Sequence, residues 1–134
     1  MSDQRSPLSW PSATPRTPSH ARRHATFSDN GYEVSVAVAI RRLTDQLATK
    51  PMNVTEFILS SNLALRNDGL PRSGQAEPRD PGVVLYFKLR DREIALPSDK
   101  WDRVADNIVA LAKYIEAMRG MDRWGVGTID QAFA

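Results

Sequence analysis

Apolar residues recur along this chain with two different periods, and each change of period marks an element. Val36, Ala39, Ile40, Leu43 and Leu47 fall at helical spacing, with Arg41, Arg42 and Gln46 mostly off that stripe. Ser35 can cap the first turn and Lys50-Pro51 blocks continuation, so the spacing predicts a helix from Ser35 to about Ala48. The segment NVTEFILS is β-branched and aromatic and reads as a strand over 53–60, with Ser61-Asn62 turning into a second strand, LALR, over 63–66. VVLYFKLR then alternates Val83, Leu85, Phe87 and Leu89 against Val84, Tyr86, Lys88 and Arg90, the pattern of one buried and one amphipathic face. Asp91-Arg92 reads as a hairpin tip, and EIALP returns as a short strand. Trp101, Val104, Ala105, Ile108, Leu111, Ala112, Ile115 and Met118 form the longest stripe, predicting a helix capped by Ser98 or Asp99. It should end near Arg119 with Gly120 just past the C-cap, and Thr128 with Gln131 stands at capping-box spacing for a short terminal helix.

These elements predict an α+β fold in the order α-β-β-β-β-α. A small antiparallel sheet of about four strands would carry two helices on one face. Residues 1–30 read as an irregular, Pro- and Arg-rich arm, because Pro7, Pro11, Pro15 and Pro18 each remove a backbone donor and disfavour helix. Residues 31–134 read as the compact domain. Trp10 and Phe27 are unusual in such an arm and suggest that it docks on the domain or on a partner.

Composition adds little that is specific. The 134 residues carry a net charge of +2, too small to argue for nucleic acid on its own. The basic character sits in residues 1–26, where Arg5, Arg16, Arg22 and Arg23 face only Asp3. With no cysteine, thiol catalysis, disulfides and Cys-ligated zinc are excluded. No apolar run is long enough to predict a membrane helix and no apolar signal core is visible at the start, so a cytoplasmic protein is the simplest expectation.

No catalytic set assembles from the residues. Asp99, Asp102 and Asp106 with Arg103 lie near one side of the predicted long helix, where acids favour the helix dipole more readily than they hold a metal. A magnesium nuclease would need an acid two residues before Lys88, and Tyr86 stands there. His20 and His24 have a zinc-like spacing but lie in a Pro-rich segment with no further ligand. Gly69, Gly74 and Gly82 read as turn residues that allow positive φ. No cofactor or metal is expected. A nucleic-acid reading keeps some footing, since the basic arm and Arg66, Arg72 and Arg79 could follow phosphates while Trp10 stacks on a base. Asp68, Glu77 and Asp80 dilute that loop.

Several segments together resemble the N-terminal region of bacterial and prophage J-domain-containing, or DnaJ-like, proteins. They are WPSATPRTPSHARRHATF, SSNLALRNDGLPRSGQ, DPGVVLYFKL, DKWDRVADNI and DRWGVGTIDQAFA. The likeness spans essentially the whole chain, more weakly over Ser28–Thr55. In that family a J domain follows, whose His-Pro-Asp stimulates an Hsp70 ATPase. This chain contains no His-Pro-Asp, so that activity is not expected here. The resemblance implies a phage or mobile-element setting. The leading expectation is therefore a non-enzymatic protein-binding module that acts on host machinery, in one version as an inhibitor of a defence complex. The alternatives are a nucleic-acid accessory protein and, more weakly, a metal-dependent nuclease. The candidate partner-binding residues are Trp10, Arg16, Arg66, Arg72, Gln75, Arg79, Asp99, Asp102, Arg103 and Trp124.

Overall fold

The central strand is apolar on both of its faces, and the architecture follows from covering it twice. The structure is a computed structural model that describes residues 4–133. Its elements run β1 (Ser28–Asp29), β2 (Tyr32–Glu33), α1 (Val36–Ala48), β3 (Phe57–Ser60), β4 (Val83–Leu89), β5 (Arg92–Ser98), α2 (Val104–Arg123) and α3 (Ile129–Ala132). β3, β4 and β5 form an antiparallel sheet in that spatial order, while β1 and β2 make a separate hairpin. The fold is thus α+β, but with sheets of three and two strands rather than a single four-stranded one.

Along β4 only Lys88 is exposed. Val83, Leu85, Phe87 and Leu89 enter the main core, where they join Leu43 and Leu47 of α1 and Val104, Ile108, Leu111 and Ile115 of α2. Val84 and Tyr86, on the opposite face by strand alternation, are also buried. There the arm supplies the cover. The Tyr86 hydroxyl donates to the Ser9 carbonyl at 2.5 Å, and Ser9 N–H donates to Ser60 Oγ at 2.8 Å. Leu8 N–H reaches Asn62 Oδ1 at 2.9 Å, and Ser6 Oγ reaches the Leu63 carbonyl at 2.9 Å. The expected amphipathic outer face of β4 is therefore corrected: the arm makes it a second interior.

Three strand expectations change for local reasons. The strand expected over 53–60 begins at Phe57, because Asn53 has positive φ (53°) and Val54 N–H bonds back to the Leu47 carbonyl at 2.7 Å. LALR does not pair as a strand. The Gln75 side-chain amide takes the place of a neighbouring backbone, accepting from Ala64 N–H at 2.8 Å and donating to the Ala64 carbonyl at 3.0 Å. Only the isolated bridge between Leu65 and Pro71 remains. The hairpin tip lies one residue earlier than expected, at Arg90-Asp91, both with positive φ (48° and 70°). Asn30-Gly31 closes the β1–β2 hairpin with φ of 51° and 86°.

Both ends of α2 also shift. Asp99 does not cap it. Residues 99–102 stay out of the helix because Arg23 N–H donates to the Lys100 carbonyl (3.0 Å) and Asp102 N–H to the Arg23 carbonyl (2.9 Å). The helix starts at Val104, whose N–H donates to the Glu77 carboxylate brought in by the long loop. Trp101 thus lies outside the helix, with its ring 5.7 Å edge-on from Phe27. At the other end α2 runs through Gly120. It closes with Gly125 N–H on Asp122 O (3.2 Å) and Val126 N–H on Met121 O (2.9 Å), the Schellman pair, with Gly125 at φ 80°. Thr128 and Gln131 form the expected capping box on α3.

Asn107 joins these pieces from inside the core. It is fully buried and donates to the carbonyls of Pro81 (2.9 Å) and Trp101 (3.0 Å), while accepting from Trp101 N–H at 3.0 Å. Replacing it by Leu leaves the buried Pro81 carbonyl and two partly buried backbone groups of Trp101 without this partner, the buried one at about 1–3 kcal/mol before relaxation. Asn107→Leu should lower the urea midpoint by an amount equivalent to at least about 2 kcal/mol with an unchanged slope. A variant as stable as the parent would show that these bonds are not required.

Candidate functional site

The residues selected from sequence fall into three groups, and each has a different job. The first group seats the arm. Asp99 is buried just before α2 and accepts from Arg16 Nε (2.9 Å), Thr17 N–H (2.9 Å) and Thr17 Oγ1 (2.7 Å). Arg16 Nη2 also donates to Asp80 Oδ1 at 2.5 Å, and Arg22 Nη2 lies 3.6 Å from the same oxygen. The Arg16 guanidinium stacks 4.3 Å from the centroid of the Trp10 ring, whose Nε1 donates to the Thr14 carbonyl. Gly82 has no positive φ, contrary to expectation; it is small because a Cβ there would lie 2.9 Å from Arg16 Nη2 and 3.3 Å from Asp99 Cβ. Trp10, Arg16 and Asp99 therefore hold the chain's own arm.

Burial alone would push the Asp80 carboxyl up. The Arg16 hydrogen bond, the Gly82 N–H, and the charges of Arg16 and Arg22 together outweigh it and hold the group below its ordinary value of 3.8.

The second group braces the long loop. Arg66 pairs with Asp68 at 2.9 Å, and Asp68 Oδ1 accepts from Leu70 N–H at 3.0 Å. Arg72 Nε donates to the Leu65 carbonyl at 3.2 Å, and Gln75 Nε2 adds a bond to the Arg72 carbonyl at 2.8 Å. Arg79 projects into solvent. Beside the loop, Arg103 Nη2 donates to the Val34 carbonyl (2.8 Å), and its Nη1 lies 3.3 Å from Glu33 and 3.4 Å from Asp106. Asp102 faces His24 at 3.4 Å. Burial raises the Asp106 pKa, opposed by the charge of Arg103, and its Oδ1 has no hydrogen-bond partner. Among the described residues no cluster of His, Cys, Asp and Glu is arranged to hold a metal ion. No helix among them is long and apolar enough to cross a membrane.

The third group is one turn. Trp124 is 76% exposed and Val126 66%, next to Met121 at 40%. The Schellman closure of α2 presents all three, and the Arg123 guanidinium lies 5.4 Å from the centroid of the Trp124 ring. Sequence reasoning singled out Trp124 but missed Met121 and Val126. Their signal was present, because Met121 lies off the α2 stripe and Val126 sits between two glycines with no apolar neighbour to pack on. Tyr32, 79% exposed at the β1–β2 turn, was missed for want of any pattern around it.

The structure thus brings together Trp10, Arg16 and Asp99. It gathers Arg66, Arg72 and Gln75 in the self-braced loop, pairs Arg103 and Asp102 with the β2 and arm side, and leaves Trp124 apart from them all. Compared with known proteins, the chain matches no family model, no curated protein and no solved structure.

Asp99→Ala removes a charged acceptor and leaves Thr17 N–H unmatched, which should cost about 2 kcal/mol. It should also speed tryptic cleavage at Arg16, Arg22 and Arg23 before the domain is cut; an unchanged cleavage rate would show that Asp99 does not hold the arm.

The depressed Asp80 pKa sets a pH dependence. The folded state binds its proton more weakly than the unfolded chain does, so the stabilisation is complete above the ordinary value. It is lost as the pH falls through the lower, folded value. Asp80→Asn should therefore flatten the acid limb of a stability profile measured by denaturation between neutral pH and the acid transition. Parallel profiles for the two proteins would rule out this contribution.

Proposed function

We propose that this chain is a non-enzymatic protein-binding module whose contact surface centres on the Trp124 turn. The observation that carries this reading is a large aromatic side chain, with Val126 and Met121, held in solvent by a closed helix end. Exposed Trp beside Arg, surrounded by smaller apolar groups, is the composition of interface hot spots. Holding such a group in a fixed turn lowers the ordering cost of binding. Arg16 and Arg22 of the arm face Asp80 and Asp99, which favours a protein over a phosphate backbone as partner. In this reading the partner is a host protein complex met by a phage or mobile-element protein, with inhibition of a defence complex as one version. That part rests on the resemblance to the N-terminal region of DnaJ-like prophage proteins.

The test is capture of partners from host lysate by the tagged full chain, with Trp124→Ala and Val126→Ser alongside. Both positions are exposed, so the thermal midpoint should stay within about 2 °C while capture falls at least about tenfold. Equal capture by the variants would move the binding surface elsewhere. Capture that collapses with added salt and nuclease treatment would point to nucleic acid instead.

A further inference from the structure

We propose that the edge of β3, which pairs with no strand among the described residues, is a homodimer interface, where β3 of a second copy adds antiparallel and makes one continuous six-stranded sheet. β3 and β5 are the two edges of the sheet. β5 is blunted in the usual way, with Arg92 and Glu93 at one end and Pro97, which has no N–H, near the other. β3 reads FILS, with neither charge nor proline, and Phe57, Ile58 and Leu59 are only half-buried. A groove of about 720 Å³ runs along this edge, walled by Ile40 and Thr44 of α1 on one side and by Leu65, Leu70 and Pro71 of the loop on the other.

The arm already shows the edge taking an added backbone and also limits how far pairing can run. Ser61 N–H donates to the Arg5 carbonyl at 2.9 Å. Strand N–H groups alternate sides, so if Ser61 turns away from β4, Leu59 and Phe57 do too. A two-fold pairing centred on Ile58 uses only these groups: Phe57 exchanges hydrogen bonds with the second copy's Leu59, and Leu59 with its Phe57. It stops short of Ser61, which is already paired. Shifting the register by one residue would place one copy's core-facing side chains against the other's outer face, which the fold forbids.

Charge complementarity selects the second copy as the occupant. In the Ile58-centred register, Glu56 lies opposite the second copy's Ser60, on the outer face, beside the second copy's Arg5. Arg5 and Glu56 are both exposed and both border the groove, and Arg5 lies along Gly69 at its end. The dyad makes this contact twice, once at each end of the paired strands. Lys88 and Glu93 also line the groove at the Glu56 end and are paired with each other, so the apolar middle is bounded by net opposite charges at its two ends and is self-complementary when reversed, as an isologous interface requires.

The test uses sedimentation velocity on the full chain over a wide concentration range. The parent should dimerise, Glu56→Arg and Arg5→Glu should each lose the dimer, and Arg5→Glu/Glu56→Arg together should regain it. Both side chains are exposed, so circular dichroism should be unchanged in all variants, and thermal midpoints should agree at concentrations low enough for the parent to be monomeric. In the parent, hydrogen exchange at Phe57 and Leu59 should slow as concentration rises, with no change at Ile58. A monomer at every soluble concentration overturns the proposal, as does a dimer indifferent to either reversal or a double variant that stays monomeric. A monomer whose groove takes an extended peptide from another protein would replace the second copy as occupant. None of these outcomes depends on Trp124, so they separate from the partner-binding reading.

Discussion

β4 carries apolar side chains toward both sides of the sheet, and a chain of this size has one pair of helices to offer. α2 lies against β4 and β5 and α1 packs along α2, which closes the face of Val83, Leu85 and Phe87. The face of Val84 and Tyr86 falls to the arm, and much of the rest of the structure is arranged to hold that arm in place. A proline-rich segment makes few backbone bonds of its own, so its free groups must be met by side chains of the domain. Ser60, Asn62 and Asp99 meet its amides, and Tyr86 meets a carbonyl. The prolines also keep the arm extended before it docks, which lowers the entropy lost on docking.

The start of α2 is shaped by the same demand. Asp99 is turned toward Arg16 and Thr17, so it cannot cap the helix. Residues 99–102 lie outside the helix against Arg23, and Glu77 from the loop meets the first helical amide instead. Asn107 then ties the loop, the segment before the helix and the helix itself to one buried side chain. A cap contributes about 1 kcal/mol wherever it comes from. Here its source links the long loop to the core, and the loop is braced rather than adaptable.

Much of this was legible in the sequence where the pattern was local. Ser35 with the stripe from Val36 to Leu47 placed α1, the alternation from Val83 to Leu89 placed β4, and Thr128 with Gln131 placed the last cap. What was not legible depended on contacts between distant segments. Tyr86 looked like an outward residue because nothing near it in sequence reveals Ser9 above it. Asp99 looked like a helix cap because its true partners are Arg16 and Thr17. Gln75 looked like a surface contact because a side-chain amide bonding Ala64 on both sides leaves no periodic trace. The candidate site was legible at Trp124 alone, where the ring stands in a glycine-rich turn just past the α2 stripe and could have closed the core or met a partner.

The domain residues that receive the arm from Arg5 to Thr17 lie far downstream of it, from Ser60 at a separation of 51 residues to Asp99 at 83. On a ribosome the arm emerges first and its last receptor appears only after most of the chain has been made. Synthesis at roughly 5–20 residues per second leaves the arm waiting several seconds as an extended, accessible ribbon. The order of synthesis therefore runs opposite to the order of closure, and the clamp can set only when the domain beneath it is nearly whole.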